Sequence, residues 1–226
     1  MQPSSIEEIL SPESPNLYFF FGGIASGIVM PPFEFYQSSK ITNDSKIFFR
    51  DLSQTWYQNG LPELGYSLYA IHDYIQKKIL ERNPDNIYFI GNSMGGYAAI
   101  LFSALIGKGT AIAFAPQTFI SPYLRFKYHD HRWKDKIIHT YKTSFFKRKS
   151  WDLKKLLHKK KAQQKIHIFV SRDDALDLIH ARHLEDLQNV SIFEFSQGGH
   201  GVVKYLKELG KLPEIMSGNY IHDHNL

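Results

Sequence analysis

The sequence predicts an α/β fold in which short buried strands alternate with helices and pair into a mostly parallel sheet. Six short runs rich in apolar, β-branched and aromatic residues recur along the chain, and runs with helical periodicity separate most of them. That alternation is typical of a sheet covered by helices on both faces. The predicted strands are 17–21, 46–50, 87–90, 110–115, 166–170 and 190–195, and the clearest helical runs are 63–82, 96–105 and 178–187.

Length and composition favour one domain that spans residues 1–226. The chain has 43% hydrophobic residues, enough for one sizeable core, and it shows no internal repeat. It has no cysteine, which excludes disulfides, a thiol nucleophile and a thiolate metal site. The polar first 16 residues lack the pattern of a signal peptide, and no apolar run approaches the roughly 20 residues of a membrane span. We therefore expect a cytoplasmic protein.

The most informative motif surrounds Ser93. It reads Gly-Asn-Ser-Met-Gly, directly after the strand 87–90 and directly before the helical run 96–105. A chain that turns from strand to helix over one residue strains that residue, and only glycines beside it allow such close passage. The serine hydroxyl then lies at the head of a helix, where the N–H of Met94 can face a developing negative charge. This pattern predicts a nucleophilic serine.

An acidic turn and a histidine loop follow later strands. Strand 166–170 leads into Ser-Arg-Asp-Asp, which makes Asp174 the favoured acid and Asp173 the alternative. Strand 190–195 leads into Gln-Gly-Gly-His-Gly, which places His200 at a strand's carboxyl end.

With these motifs, residues 17–209 resemble a small serine hydrolase of the α/β-hydrolase fold. The resemblance implies that Ser93 is the nucleophile, that His200 is the general base, and that Asp174 fixes the imidazole tautomer. It also implies an oxyanion hole made by the N–H of Met94 and that of Gly23 or Ile24. Many members carry His-Gly at that loop, whereas this chain has Phe-Gly-Gly. Some members place their acid after the strand that here ends at 115, where this chain has Pro-Gln-Thr without a carboxylate, and this absence favours Asp174. No cofactor or metal is implied.

A basic insertion separates the fourth and fifth predicted strands, at about 116–165. Between 125 and 165 there are 15 Lys and Arg against three Asp, with many aromatic residues among them. In the family an insertion here commonly forms a cap, so Tyr123, Phe126 and Trp133 are candidate substrate contacts. The charges suit an acidic carrier protein or another anionic surface. A solvated helical lid explains the composition equally well, and nucleic acid is disfavoured because no binding module accompanies the charge.

The function predicted from these features is hydrolysis of a carboxylic ester or thioester through an acyl-enzyme. The substrate would be a small-molecule or carrier-bound acyl compound, and the aromatic and basic cap favours an acyl esterase or thioesterase. An acyltransferase would use the same three side chains. A non-catalytic binding or scaffold protein that uses the basic cap is the alternative from another class.

Overall fold

The computed structural model describes residues 4–24, 33–160 and 164–218, apart from the side chains of residues 145–147. Seven strands form one sheet in the order β1-β3-β2-β4-β5-β6-β7. Strand β1 pairs antiparallel with β3, and all other neighbours are parallel. The strands are β1 (Ile6–Ile9), β2 (Asn16–Phe21), β3 (Ser45–Phe49), β4 (Asn86–Asn92), β5 (Thr110–Phe114), β6 (Lys165–Ser171) and β7 (Val190–Phe195).

The six predicted strands all form, which confirms the mostly parallel α/β sheet. The seventh, β1, lies at the edge, and sequence reasoning missed it because its two glutamates break any apolar run. Edge strands are often short and charged, which discourages pairing with another chain.

Eight α-helices lie in the described residues. They are α1 (Leu68–Arg82), α2 (Met94–Ile106), α3 (Pro122–Lys127), α4 (Lys134–Ser144), α5 (Leu153–Lys160), α6 (Ala175–Arg182), α7 (Val202–Glu208) and α8 (Leu212–Met216). Helix α1 begins at Leu68 rather than at residue 63, because Leu61 and Gly65 close a tight turn and Ser67 caps the helix. Helix α6 lies earlier in the chain than the predicted 178–187, because Asp174 caps it. Each of these helices is too short or too polar to cross a bilayer.

Alternating side chains of β2 place the core on both faces of the sheet. Phe21 stacks on Phe102 of α2, with ring centroids 5.4 Å apart, in a cluster that includes residues of α1, α2 and α5. Phe20 faces the other way and belongs to a cluster with Leu206 of α7 and Ile215 of α8. Helices therefore cover both faces, as predicted.

The basic insertion between β5 and β6 folds into α3, α4, a 3-10 helix over Phe145–Ser150 and α5. Leu156 and Leu157 of α5 join the core under α2, whereas Tyr123 and Phe126 of α3 are exposed. Tyr141 of α4 donates a hydrogen bond of 2.6 Å to the carbonyl of Ile120. The insertion is therefore partly integrated into the domain. It begins after the carboxyl end of β5, the same end of the sheet at which the predicted catalytic motifs lie.

Candidate active site

Ser93 occupies the sharp turn between β4 and α2. Its φ is 56° and its ψ is −119°, a conformation that side-chain-bearing residues rarely adopt. A methyl group on Gly91 would lie 2.1 Å from the carbonyl oxygen of Gly95, and one on Gly95 would lie 2.0 Å from that of Phe21. Glycine is therefore required on both sides of Ser93, which is the reason for the spacing of the motif.

Ser93, His200 and Asp177 form a continuous hydrogen-bonded chain. The Nε2 atom of His200 lies 2.9 Å from Ser93 Oγ, and its Nδ1 atom lies 2.7 Å from Asp177 Oδ2. An ionised carboxylate only accepts hydrogen bonds, so Nδ1 carries the proton and Nε2 of the neutral ring accepts the Ser93 hydroxyl. Ser93 and Asp177 are buried and His200 is partly exposed. This arrangement can take a proton from the serine and return it to a leaving group.

The carboxylate beside His200 belongs to Asp177, which corrects the prediction of Asp174. The Asp174 side chain accepts the Asp177 N–H at 3.0 Å and caps α6. Asp177 lies three residues further along the chain, within the first turn of that helix, and its side chain is fully buried. The sequence pointed to the right turn but to the wrong residue of it.

Asp173, the alternative acid, is exposed and contacts the histidine loop instead. Its carboxylate accepts hydrogen bonds from the Gly199 N–H at 2.8 Å and from the Ser171 hydroxyl. These two bonds hold the pKa of Asp173 below its usual range. Asp173 thus ties the loop that carries His200 to the end of β6.

A buried ionic network from the insertion holds the other oxygen of Asp177. Arg132 Nη1 lies 2.7 Å from Asp177 Oδ1, and Arg132 Nε lies 3.1 Å from Asp130. Asp130 also pairs with Arg125 and with His180, the latter at 3.0 Å. Burial alone would raise the pKa of Asp130, but the hydrogen bonds from His180 and Arg132 hold it far below its usual range. Arg125 and Asp130, from a segment that reads as a solvated charge run, are thus buried, and the partly exposed Arg132 links Asp130 to Asp177.

The predicted oxyanion donors lie close to Ser93. Met94 is the first residue of α2, so its N–H has no acceptor within the helix. Gly23 is adjacent, since a methyl group on it would lie 3.6 Å from Ser93 Cβ. The Gly23 N–H, however, donates to Glu34 Oε2 at 2.7 Å, and Asn92 Nδ2 donates to Glu34 Oε1 at 3.0 Å. One of the expected oxyanion donors, the Gly23 N–H, is therefore already hydrogen-bonded to a side-chain carboxyl group.

Glu34 was not anticipated from the sequence. Burial raises the pKa of Glu34 above its usual range, although the Gly23 N–H and the Asn92 amide favour its charged form. Glu34 lies 11 residues after Gly23 and carries no motif that would reveal it. Ile24, the other predicted donor, is partly buried and packs against the core, and its role as a donor stays a prediction.

A buried amide also contacts the Ser93 hydroxyl. Gln117 Nε2 donates to Ser93 Oγ at 2.8 Å, and Trp56 Nε1 donates to Gln117 Oε1 at 3.2 Å. Gln117 follows β5, at the position whose missing carboxylate favoured Asp174 in the sequence. Neither Gln117 nor Trp56 is exposed to solvent.

The three predicted substrate contacts have different surroundings. The ring of Trp133 lies 5.4 Å from that of His200, and the Arg132 guanidinium lies over Trp133 at 5.1 Å. Tyr123 and Phe126 are 70% and 78% exposed, on α3. The structure thus brings Trp133 to the triad and leaves Tyr123 and Phe126 on the surface.

One cluster in the described residues has the composition of a metal site. Asp174, Asp177 and His200 each offer a ligand atom within 4.8 Å of the others. The Asp177 and His200 atoms bond to each other, and Asp174 caps α6. These contacts give each side chain a role without a metal, and the expectation that no metal is needed stays a prediction.

Comparison with known proteins assigns the chain to a family. Residues 53–215 match the model of the Uncharacterised protein family (UPF0227). The chain belongs to this family. The matched region includes Ser93, Asp177 and His200. No curated protein matches the sequence of this UPF0227 member.

Solved structures establish the fold of this UPF0227 member as that of α/β hydrolases. The capsule O-acetyltransferase of Neisseria meningitidis serogroup A is similar with a TM-score of 0.68 and 18% identity, over 94% of this chain and 92% of that one. FphF, a fluorophosphonate-binding serine hydrolase of Staphylococcus aureus, gives 0.59 and 19%, over 90% and 83%. A lipase-esterase related protein from Clostridium acetobutylicum gives 0.59 and 14%, over 94% and 98%.

Proposed function

We propose that this protein is a serine-dependent hydrolase of carboxylic esters or thioesters. The observation that carries the proposal is the chain of hydrogen bonds from Ser93 through His200 to Asp177, with the serine on a strained turn at the head of α2. Similarity in fold to serine hydrolases is consistent with it. A scaffold protein would have no need for a strained serine aligned with a histidine and a buried carboxylate.

The proposed reaction has two steps. In the first, Ser93 Oγ gives its proton to His200 Nε2 and attacks the acyl carbon, and the carbonyl electrons move to oxygen. Collapse of this intermediate breaks the bond to the alcohol or thiol, which leaves with the proton from His200. In the second step, water gives a proton to His200 and attacks the acyl carbon, and Ser93 leaves with that proton.

The Met94 N–H at the head of α2 would stabilise the negative oxygen of both intermediates. A donor of this kind contributes about 10²- to 10³-fold to the rate in serine enzymes. The second donor in this proposal is the N–H of Gly23 or of Ile24. If it is Gly23, the Glu34 carboxylate has to leave that N–H before a substrate carbonyl can use it.

Acyl transfer to an alcohol or amine is the second candidate. The specific observation that favours it is the similarity to a capsule O-acetyltransferase, which also has a structure in complex with CoA. The same acyl-enzyme would form, and an acceptor hydroxyl would replace water in the second step. Aromatic and basic side chains of the insertion would contact the acyl donor or an acidic carrier surface, with Trp133 the best placed of those predicted.

Labelling with a fluorophosphonate tests the nucleophile. We expect the purified protein to form an adduct at Ser93, located by mass spectrometry, and Ser93→Ala to form none. The exposed Ser53→Ala variant is a matched serine control. A folded protein without an adduct would refute the proposal. With labelling established, products formed from 4-nitrophenyl acetate with and without glycerol or glucosamine would separate hydrolysis from transfer.

A further inference from the structure

We propose that Gln117 is a further catalytic residue, which donates a hydrogen bond to Ser93 Oγ and promotes release of the acyl group. The inference rests on the proposed function, because it assigns a role within the same acyl-enzyme cycle. It starts from two contacts, Gln117 Nε2 to Ser93 Oγ at 2.8 Å and Trp56 Nε1 to Gln117 Oε1 at 3.2 Å.

The orientation of the Gln117 amide follows from the chemistry of its neighbour. An indole N–H can only donate, so the oxygen of the amide must face Trp56. The NH₂ group must then face Ser93.

Trp56 is itself firmly held. The N–H groups of its neighbours Thr55 and Tyr57 both donate to Asp51 Oδ2, at 2.7 Å and 2.8 Å. Its carbonyl accepts from Gln58 Nε2 at 3.2 Å. Because Trp56 and Gln117 are fully buried, water does not compete for either contact. The amide is thus fixed before the reaction begins.

Ser93 Oγ has two partners with different roles. It donates its hydrogen to His200 Nε2 at 2.9 Å and accepts one from Gln117. The two bonds hold the hydroxyl in the direction that proton transfer requires. Gln117 still donates to Oγ after the proton has moved to His200.

The strength of the Gln117 bond changes during the cycle. In the acyl-enzyme, Oγ is an ester oxygen and a poor acceptor, so the hydrogen bond from the buried Gln117 amide to Oγ becomes weak. When water attacks and the Oγ–carbon bond breaks, electrons return to Oγ and the N–H bond strengthens. Gln117 therefore destabilises the acyl-enzyme and stabilises the transition state that ends it, which is the differential binding that accelerates a step.

The test uses Gln117→Met, which keeps a similar length and removes the donor. With 4-nitrophenyl acetate we expect the burst of nitrophenol to persist while the steady rate falls about 10- to 100-fold, the effect of a hydrogen bond to a charged oxygen. Intact-mass measurement should show the acetylated protein accumulating at Ser93. Turnover of Gln117→Glu should be slower still, because its carboxylate would accept the hydrogen bond that the Ser93 hydroxyl now donates to His200.

Trp56→Phe removes only the indole donor that orients the amide. We expect a smaller fall in the steady rate and the same accumulation of acyl-enzyme, and this variant tests the contact if Gln117→Met does not fold. Wild-type turnover and no accumulation in both variants would overturn the role of Gln117. Failure of the wild type to label at Ser93 would instead refute the proposed function, and this inference would fall with it.

Discussion

Replacement of Asp177 by Asn provides a sharp test of the triad, because Arg132 dictates how the new amide would lie. Arg132 only donates hydrogen bonds, so the amide oxygen would face Arg132 and the NH₂ group would face His200. His200 Nδ1 would then have to accept, and the ring proton would move to Nε2. That tautomer cannot take the Ser93 proton. In serine proteases, an inverted tautomer lowers turnover by about 10⁴-fold, which corresponds to about 5 kcal/mol.

The assay is kcat/KM for 4-nitrophenyl acetate together with the rate of fluorophosphonate labelling. Asp174→Asn is the matched control, because Asn caps a helix as well as Asp and can still accept the Asp177 N–H. We expect this variant to keep most of its activity and both variants to unfold near the wild-type temperature. A larger loss for Asp174→Asn than for Asp177→Asn would show that the geometry has been misread.

Three further predictions concern Arg132, Glu34 and His167. In Arg132→Lys the planar guanidinium that bridges Asp130 and Asp177 is lost, so we expect fluorophosphonate labelling of Ser93 to slow about tenfold. The control is Arg182→Lys, at an exposed position, which should leave the labelling rate unchanged. Equal labelling rates in the two variants would contradict the role of Arg132 in holding Asp177. Glu34→Ala removes the acceptor of the Gly23 N–H, and we expect small esters to react about 10-fold faster, a part of what one oxyanion donor contributes. Glu34→Gln keeps an acceptor oxygen for this N–H, and we expect it to react near the wild-type rate. Slower reaction in both would mean that Glu34 supports the loop. Burial lowers the pKa of His167 to about 4. Between pH 6.5 and 4, His167 therefore binds a proton in the unfolded chain but not in the folded chain. Urea unfolding should show a loss of up to about 3 kcal/mol as the pH falls from 6.5 to 4, and His167→Phe should reduce that slope; an unchanged slope would contradict it.

The sheet and the meeting of Ser93 with His200 could be predicted because their signals are local. Strands β2 to β7 are short apolar runs, and the glycines around Ser93 answer steric demands that can be read from sequence. His200 follows the last strand on a glycine-rich loop, so its place in chain order was enough. These features depend on residues adjacent in sequence, which is why a single sequence reveals them.

The acid was missed because three aspartates lie within five positions of one turn. Which of them faces His200 depends on where α6 begins, and helix boundaries are difficult to locate from sequence. The available signal was the capping preference itself: Asp174 is a favoured N-cap, and an N-cap side chain is occupied by its own helix. A carboxylate three residues later, in the first turn, was then the better candidate.

Gln117, Glu34 and Arg132 could not be predicted, because their roles depend on contacts between distant parts of the chain. In the sequence, Gln117 is distinguished only as a position without a carboxylate, and Arg132 is one of 15 basic residues between 125 and 165. Pairing with two buried carboxylates, those of Asp130 and Asp177, distinguishes Arg132 from those neighbours. Although burial alone would lower the pKa of Arg132, its bonds to Asp130 and Asp177 raise it above the usual range.

The network around Arg132 makes the insertion part of the framework that holds the Ser93–His200–Asp177 chain of hydrogen bonds. A buried carboxylate that served only His200 would be costly to desolvate, and a second partner on its other oxygen offsets that cost. Arg132 supplies this partner from the insertion, and Asp130 fixes Arg132 in turn. The adjacent Trp133 reaches the His200 ring. Any movement of this segment on substrate binding would therefore alter the position of Asp177, and with it the capacity of His200 to accept the Ser93 proton.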